Sequence, residues 1–518
     1  MRPAPPPRSR LDVSRRGFAR LLFAGGLAGA GALSRRRLLA AAAAQGAPPA
    51  APPRAPGQQG AGAVTEVGRP LKDRYFVLCM FDGGWDTLVG LDPRDPDVFT
   101  DQAAADTRIT LGYSRLADIP ALGLPAVGGL YLPGRLTQAG AGLPAPLGAY
   151  MGDLATPGYV EHIAVVRGVN MSTLAHDVGK VRARTGRPPN GNQPRGSSVA
   201  TWLARHYQGD ELIPNLSIGE EVYNLDQPLE VDVFEVSAPL DLRDALTPSA
   251  AAARFAPGTL ARVEGLVDDG YACAGGAAGY AAPFAASARL SLERARRLIA
   301  RRLSDQLDLS APSAEMAALR ARFGFEASEA GLRSPAAKAA LAARALTVGL
   351  ARVVSVNLVG GLDTHYGYGD EQNWLRQGAR QLSGWQAIAR LMDELRRTPV
   401  LDGSGETFFD RTTIVAYSDF GRTALLNPSG GRDHWLTSAY LLAGADVAGG
   451  VAMGASSDVG LTPTRVDPAT GRVSALDGEE LRPEHVWQTL LCAAGFDMAR
   501  DPADLRAPPL APLLRGGV

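Results

Sequence analysis

The sequence predicts an α/β fold, a mostly parallel sheet sandwiched between helices, and two patterns carry that prediction. Apolar runs bounded by Gly, Asp or Asn recur at Tyr75 to Phe81, Ile163 to Val166, Leu216 to Ile218, Val353 to Val359, Thr413 to Tyr417 and Ala439 to Leu442. Near-continuous Val, Ile and Leu without strict alternation is what strands buried on both faces require. Between them, Ala286 to Leu303, Pro335 to Leu350, Asn373 to Arg397 and Pro483 to Ala494 carry apolar residues at three- and four-residue spacing, the mark of helices with one face on a core. Pro483 suits a first helical turn. Strands alternating with helices give a layered α/β architecture.

Read from its start, the chain opens with an address. Ser14-Arg15-Arg16-Gly17-Phe18 precedes an apolar, Gly/Ala-rich run from Leu21 to Leu33, the pattern of a twin-arginine signal that carries folded proteins across a membrane. The run is too short and too rich in Gly for a stable membrane span. A second cluster, Ser34-Arg35-Arg36-Arg37, precedes Ala40 to Ala44, and small-residue cleavage sites follow Ala32, Ala44 and Ala47. Residues 1–47 are therefore read as a signal peptide. Residues 48–70, rich in Pro, Ala and Gly, read as a linker that cannot bury enough surface to order itself. Residues 71–518 are expected to form the folded domain. The twin-arginine translocase is the expected export partner, and the periplasm or cell exterior the expected location.

Two stretches of that domain interrupt the pattern. From Thr185 to Ser198, Gly, Pro and Asn dominate and predict a long loop; residues 220–279 are polar, then Ala/Gly-rich, and read as a candidate cap insertion. Of the three cysteines, Cys79 and Cys492 lie in apolar surroundings and Cys273 in a Gly/Ala-rich stretch. No pair has metal-site spacing, and an odd count argues against a disulfide framework. With 53 basic and 53 acidic residues, the chain has no net field suited to wrapping nucleic acid.

Chemistry-bearing residues stand where the apolar runs end. Asp82 directly follows Phe76 to Phe81, at a strand's carboxyl end, where α/β proteins bind ligands; Gly83 and Gly84 permit a tight turn there. Alone, this motif reads as an Asp-Gly-Gly turn without chemistry; the companion motifs favour a functional role for it, and Asp86 suits a helix cap. Asp363-Thr364-His365 closes the run from Val353 and sets a carboxylate and an imidazole two residues apart, both able to reach one cation from a turned segment. Asp419 follows Thr412 to Tyr417 in the same way. Arg422 either recognises an anionic oxygen of phosphate or sulfate through paired donors or simply pairs with Asp419. His434 is a candidate metal ligand, and Asp433 is suited to orient an imidazole from behind. Ser172 and Thr173 precede His176, where a hydroxyl near helix amides and a cation would lose its proton more readily; Ser172 equally suits an N-cap. His162, His206 and His485 have no companion ligand and read as structural.

Taken together, several motifs resemble the exported domain-of-unknown-function 1501 family, which is placed in the alkaline phosphatase and sulfatase-like superfamily. They are Phe-Asp-Gly-Gly-Trp-Asp-Thr at Phe81 to Thr87, Asp363 to His365, Ser418 to Arg422, the Gly-Gly-x-Asp-His of Gly430 to His434 and the closing Glu484-His485-Val486-Trp487. The resemblance runs from near Arg74 to the C-terminus. It implies an alkaline phosphatase-like fold and two divalent metals flanking a hydroxyl nucleophile. Asp82 and Asp419 would serve one metal, Asp363, His365 and His434 the other, with Ser172 or Thr173 as nucleophile. The sequence departs from the pattern at Phe420, where alkaline phosphatases carry His, and at Ala175, where many family members carry Ser. Asp363 and His365 also stand closer together than their counterparts in alkaline phosphatases.

The function expected from these readings is an exported, metal-dependent hydrolase of phosphate or sulfate esters. Its metal ligands would be Asp82, Asp363, His365, Asp419 and His434, and its catalytic groups Ser172, Thr173, His176 and Arg422. Mixed Asp and His ligation suits one or two Zn²⁺ or Mn²⁺ ions better than an all-oxygen Ca²⁺ site. The alternative is a non-catalytic exported module that keeps the fold and binds a surface partner. A redox enzyme fits less well, because neither a cysteine ligand cluster nor a dinucleotide-type Gly motif is present.

Overall fold

The computed structural model describes residues 73–94, 134–209, 211–247, 301–366, 373–497 and 503–515, with isolated positions between them. The signal at 1–47, the linker at 48–70, Cys273 and most of the helix expected over Ala286 to Leu303 lie outside the described residues. The chain divides into two compact units, Met1–Leu71 with Leu242–Ser304, and Lys72–Asp241 with Asp305–Val518. Few residues of the first are described, and the architecture below belongs to the second.

In chain order its strands are β1 (Tyr75–Phe81), β2 (Gly134–Gln138), β3 (Pro144–Leu147), β4 (Ile163–Asn170), β5 (Asn215–Ile218) and β6 (Phe234–Val236). They continue as β7 (Val353–Val359), β8 (Thr412–Ser418), β9 (Gly421–Arg422), β10 (His434–Trp435), β11 (Thr437–Gly444), β12 (Val451–Met453), β13 (Arg465–Val466) and β14 (Glu479–Glu480), the last two pairing only with each other. Among the described residues, ten of them form one sheet in the order β3-β2-β12-β4-β11-β8-β1-β7-β5-β6, while β9 and β10 make a separate ribbon. β1 is parallel to β7 and β8, β5 to β6 and β7, and β12 to β2 and β4. β11 runs antiparallel to both β4 and β8, and β3 to β2. The sheet is thus mixed and mostly parallel, as the sequence predicts.

The helices that matter for the site are α1 (His176–Thr185), α2 (Val199–His206), α3 (Pro335–Thr347), α4 (Asn373–Arg397) and α5 (Pro483–Ala493). Helix α3 shows how local chemistry sets a start. The Ser334 hydroxyl accepts from the Ala337 amide ahead of α3, with Pro335 in the first turn, a pairing that satisfies one orphan N–H and presets the backbone.

Strand β1 explains the layering. All seven of its residues are buried, and because alternate side chains leave a strand on opposite faces, both faces need cover. Phe76, Leu78 and Met80 join a core with Ala183 of α1, Leu203 of α2, and Trp487 and Leu490 of α5. On the other face the Phe81 ring stacks on Trp385 of α4 with centroids 4.3 Å apart. Helices on both sides are the direct consequence of an apolar strand with no polar face.

The stretch from Gly186 to Ser198 is largely loop, in keeping with its Gly, Pro and Asn content. Of residues 220–279, Phe234–Val236 adds an edge strand to the sheet, and most of 248–279 lies outside the described residues. Cys79 is buried on β1 and Cys492 is partly buried near the end of α5, both as free thiols; burial raises the thiol pKa of each. Among the described residues no helix is long and apolar enough to cross a membrane.

Candidate metal centre

Strand direction brings distant motifs to one rim. β1 is parallel to β7 and β8, and β4 points the same way as β8 because both are antiparallel to β11. The carboxyl ends of β1, β4, β7 and β8 therefore share an edge with the amino end of β11. Asp82, the turn before α1, Asp363-Thr364-His365, Asp419 and Asp433-His434 all leave the sheet there.

At this rim His176, Asp363 and His434 could hold a metal ion: each offers one ligand atom, and these atoms lie within 4.8 Å of one another. Asp363 Oδ1 is the hub. It lies 3.4 Å from His176 Nε2, 3.2 Å from His434 Nε2 and 3.0 Å from His365 Nε2. His365 Nε2 is also 2.8 Å from His434 Nε2, which makes His365 a fourth donor at the edge of the group.

Protonation follows from what holds the far side of each ring. The Nδ1 of His176 faces the Asp419 carboxylate, that of His365 faces Asp433 Oδ1 at 2.8 Å, and that of His434 faces the Leu174 carbonyl at 2.6 Å. All three partners only accept, so each Nδ1 carries a hydrogen, and in its neutral form each ring presents an Nε2 lone pair to a cation. Three Nε2 atoms thus converge on one carboxylate oxygen. His176 Nε2 is buried and makes no hydrogen bond among the described residues. Imidazoles anchored at one nitrogen by a carboxylate or carbonyl, with the other nitrogens aimed at a shared point, have the donor chemistry of a divalent cation site. The residues present fit such an ion.

The supports of these ligands are themselves built into the core. Asp419 is fully buried; its Oδ1 accepts from the Gly83 and Gly84 amides at 3.2 and 2.5 Å and from the Ser418 hydroxyl at 2.9 Å, while Oδ2 takes the His176 hydrogen. Asp419 thus stands behind His176. Asp433 is held in turn by the Asn427 amide at 3.1 Å. Phe420, a point at which the sequence departs from the pattern, is fully buried, and its ring centroid sits 4.6 Å from those of both His176 and His434. It forms an apolar wall for two ligands.

Two expected groups, Asp82 and Arg422, take other positions, while Asp86 caps a turn as the sequence suggests. Asp82 Oδ1 pairs with Lys180 Nζ at 2.6 Å, and Oδ2 accepts from Asn357 at 3.4 Å. Arg422 is fully buried, donating to the Gly84 and Arg432 carbonyls at 2.9 and 3.1 Å, to the Gly83 carbonyl, and to Asp363 Oδ1 at 2.7 Å. It braces the Asp363 carboxylate against the turn after β1. Asp86 caps the short turn at Thr87–Val89 by accepting from the Leu88 amide at 3.0 Å.

Ser172 and Thr173 lie in the turn between β4 and α1. Ser172 is exposed, and with φ of 53° it occupies the left-handed region that L-residues other than Asn and Asp seldom adopt, a local strain typical of functional turns. Its amide and hydroxyl both donate to Asn170 Oδ1, at 2.8 and 3.2 Å. The Thr173 hydroxyl accepts from the Ala175 amide at 3.1 Å. The N-cap of α1 is Ala175, with no side-chain cap bond. Elsewhere, His485 is buried and accepts from the Arg482 amide at the start of α5, and the His206 ring stacks on Phe496.

Sequence reasoning missed Lys180 and Asn357. For Lys180 a signal existed, since position i+4 from His176 shares its helix face; for Asn357, inside an apolar strand, there was none.

Electrostatics act on the ligands in different directions. Burial works against charge on Asp363, yet the Arg422 hydrogen bond, followed by His434 and His176, holds its carboxyl below the usual carboxylate range. Burial keeps His434 below the usual imidazole value. Burial also disfavours protonated His176, but the Asp419 hydrogen bond and charge outweigh it and raise its pKa. The ring must be neutral at Nε2 to serve a cation, so metal affinity should be full above this raised pKa and fall as pH drops through it. The expected loss is about tenfold per pH unit for one displaced proton. A chelator-competition titration between about pH 5 and 8 checks this, and a flat profile would contradict it.

Two substitutions probe the supports. Asp419→Asn keeps the shape but removes the charge behind His176, and is expected to weaken metal binding about 10–100-fold, read by isothermal titration with Zn²⁺. Gly83 has φ of +111°, and a Cβ there would lie 2.6 Å from the Asp363 amide nitrogen. Gly83→Ala is expected to cost about 1–3 kcal/mol in urea unfolding from backbone strain, with weaker metal binding alongside.

Comparison with known proteins adds a family match over part of the chain. No curated protein matches it significantly. Residues 277–470, which carry Asp363, His365, Asp419 and His434, match the family described as "Protein of unknown function (DUF1501)".

Proposed function

We propose that the protein is an exported metal-dependent hydrolase of phosphate or sulfate esters, of the alkaline phosphatase and sulfatase-like kind, using one or two Zn²⁺ or Mn²⁺ ions. The observation that supports it is the meeting of three Nε2 atoms at Asp363 Oδ1, each ring anchored from behind. His176, Asp363 and His434 would hold the cation, with His365 beside them. When bound, the ion supplies positive charge that polarises an ester oxygen and favours an ionised hydroxyl.

The chain's own residues then have distinct tasks. Asp419 and Asp433 keep His176 and His365 in the tautomer that leaves Nε2 free. Arg422 fixes Asp363 and reaches the substrate's charge only through it. The strained turn presents Ser172 or Thr173 as the nucleophile, whose attack on phosphorus or sulfur releases the alcohol before water regenerates the hydroxyl. The exported assignment rests on the twin-arginine pattern at Ser14 to Phe18.

The test is an assay of the full chain, dialysed and reloaded with Zn²⁺ or Mn²⁺, on 4-nitrophenyl phosphate and 4-nitrophenyl sulfate. Turnover that disappears with EDTA and in the Ser172→Ala/Thr173→Ala double variant supports the proposal. Bound metal with no turnover on either ester would overturn it in favour of a non-catalytic, metal-stabilised binding module.

A further inference from the structure

A cleft of about 270 Å³ opens along α1, one helical face away from the metal centre. His176 and Lys180 are four residues apart and share a face of α1. Asp177, Val181 and Arg184, at spacings of four and three, share the neighbouring face and line the cleft. Lys180 belongs to both, lining the cleft while its Nζ bonds Asp82 at the sheet rim. One turn of helix, about 6 Å of rise, separates it from the His176 ligand. The opposite wall comes from Asn192 and Gln193 in the long loop and from Glu221 and Tyr223.

The charges in this cleft are already matched. Lys180 pairs with Asp82 at 2.6 Å, and Arg184 pairs with Glu220 at 2.6 Å and Glu221 at 2.7 Å. Asp177 adds a further negative group, so an anion gains nothing by entering. What faces a guest is instead a set of groups that give and take hydrogen bonds. Asn192 and Gln193 are exposed amides, each with an acceptor oxygen and two donor hydrogens. The Tyr223 hydroxyl is held by Glu221 and Arg184 at 2.9 and 3.1 Å, which fixes its ring. Hydroxyl groups are both donor and acceptor and match such a lining. Cleft size sets the scale, since drug-sized ligands occupy about 300–1,000 Å³ and this volume suits one sugar ring.

We propose that this cleft binds the alcohol part of the substrate, an uncharged polyhydroxylated group of monosaccharide size, while the anionic ester group lies at the metal centre. The substrate class is then a sugar phosphate or sulfate. The assignment of the two parts rests on the hydrolase reading; the binding of a neutral polyol by the cleft does not.

The experiment is saturation-transfer NMR on the full chain loaded with Zn²⁺, using methyl α-D-glucopyranoside, methyl β-D-galactopyranoside and methyl N-acetyl-β-D-glucosaminide. At least one is expected to bind. The Asn192→Ala/Gln193→Ala double variant should bind it about tenfold more weakly, the effect of losing one or two neutral hydrogen bonds. Both side chains are on an exposed loop, so its thermal midpoint should match the parent's. Failure of all three glycosides to bind, or equal binding by the double variant, overturns the cleft assignment. Glycoside binding without turnover of the 4-nitrophenyl esters would remove the hydrolase reading and leave the polyol site standing.

Discussion

The Asp363→Ala protein is expected to retain no stoichiometric divalent ion after dialysis, whereas the parent chain keeps one. Asp363 Oδ1 is the atom on which His176, His365 and His434 converge, at 3.4, 3.0 and 3.2 Å. Without it, three neutral imidazoles remain, with no negative charge to balance a cation. Loss of an outer support typically costs about 10–100-fold in metal affinity, and removal of the central ligand should exceed about 100-fold. Elemental analysis of dialysed protein and calorimetric titration with Zn²⁺ read the result. Nearly half of the Asp363 side chain is exposed, so the variant should still fold, and circular dichroism serves as the control. An ion held with undiminished affinity would show that the cation, if any, binds elsewhere. Asp363→Asn, which keeps an oxygen but not the charge, should fall between the two.

Arg422→Ala is expected to be the most destabilising single change at the rim. The guanidinium is fully buried and is a shared donor to the carbonyls of Gly83, Gly84 and Arg432 as well as to Asp363. Truncation leaves those carbonyls without their donor in the interior, where each unsatisfied group costs about 1–3 kcal/mol. With three carbonyls losing their donor, a loss of about 3 kcal/mol or more in urea unfolding is the expected outcome. Arg422→Lys should recover only part of it, since an ammonium cannot reproduce the planar fork that reaches the Gly83-Gly84 turn, Arg432 and Asp363 at once. A stability change below about 1 kcal/mol would show that the turn after β1 holds its shape without this brace. Substrate affinity is a separate readout, because an arginine committed to carbonyls and Asp363 acts on the ligand only through the metal centre.

Much of the fold was legible because burial on both faces leaves a plain signature. Tyr75 to Phe81 and Val353 to Val359 coincide with β1 and β7; the polar Ser355 and Asn357 lie inside the second run, and apolar or aromatic residues mark both ends of each. Helices α3, α4 and α5 begin at the expected residues, Pro335, Asn373 and Pro483. The strands that composition hid are those at the sheet's margins. β3, Pro-Ala-Pro-Leu, carries prolines that suit its edge position, and β2 beside it, Gly-Arg-Leu-Thr-Gln, mixes Gly and polar residues. β12 is three residues long, too short for any period to register.

At the site, sequence identified the residue types but not their order around the centre. Asp363, His365 and His434 come together as donors, joined by His176. The carboxylates of Asp82 and Asp419 follow the same kind of strand end, yet one turns to Lys180 and the other to His176 Nδ1 and the Gly83-Gly84 amides. Position at a strand end fixes which rim a residue occupies. Its rotamer and neighbours decide whether it touches the ion or the ligand behind it, and those depend on contacts between residues more than 300 positions apart, such as Gly83 with Asp419.

The placement of β1 also governs when the site can come into being. Phe76 is in register with Val353 on one side and Thr413 on the other, so the first strand to leave the ribosome waits for most of the polypeptide before either neighbour exists. Pairings of such long sequence separation form slowly. Until synthesis has passed residue 434, a growing chain has no His434 to offer, so the ligand set is completed only late in elongation.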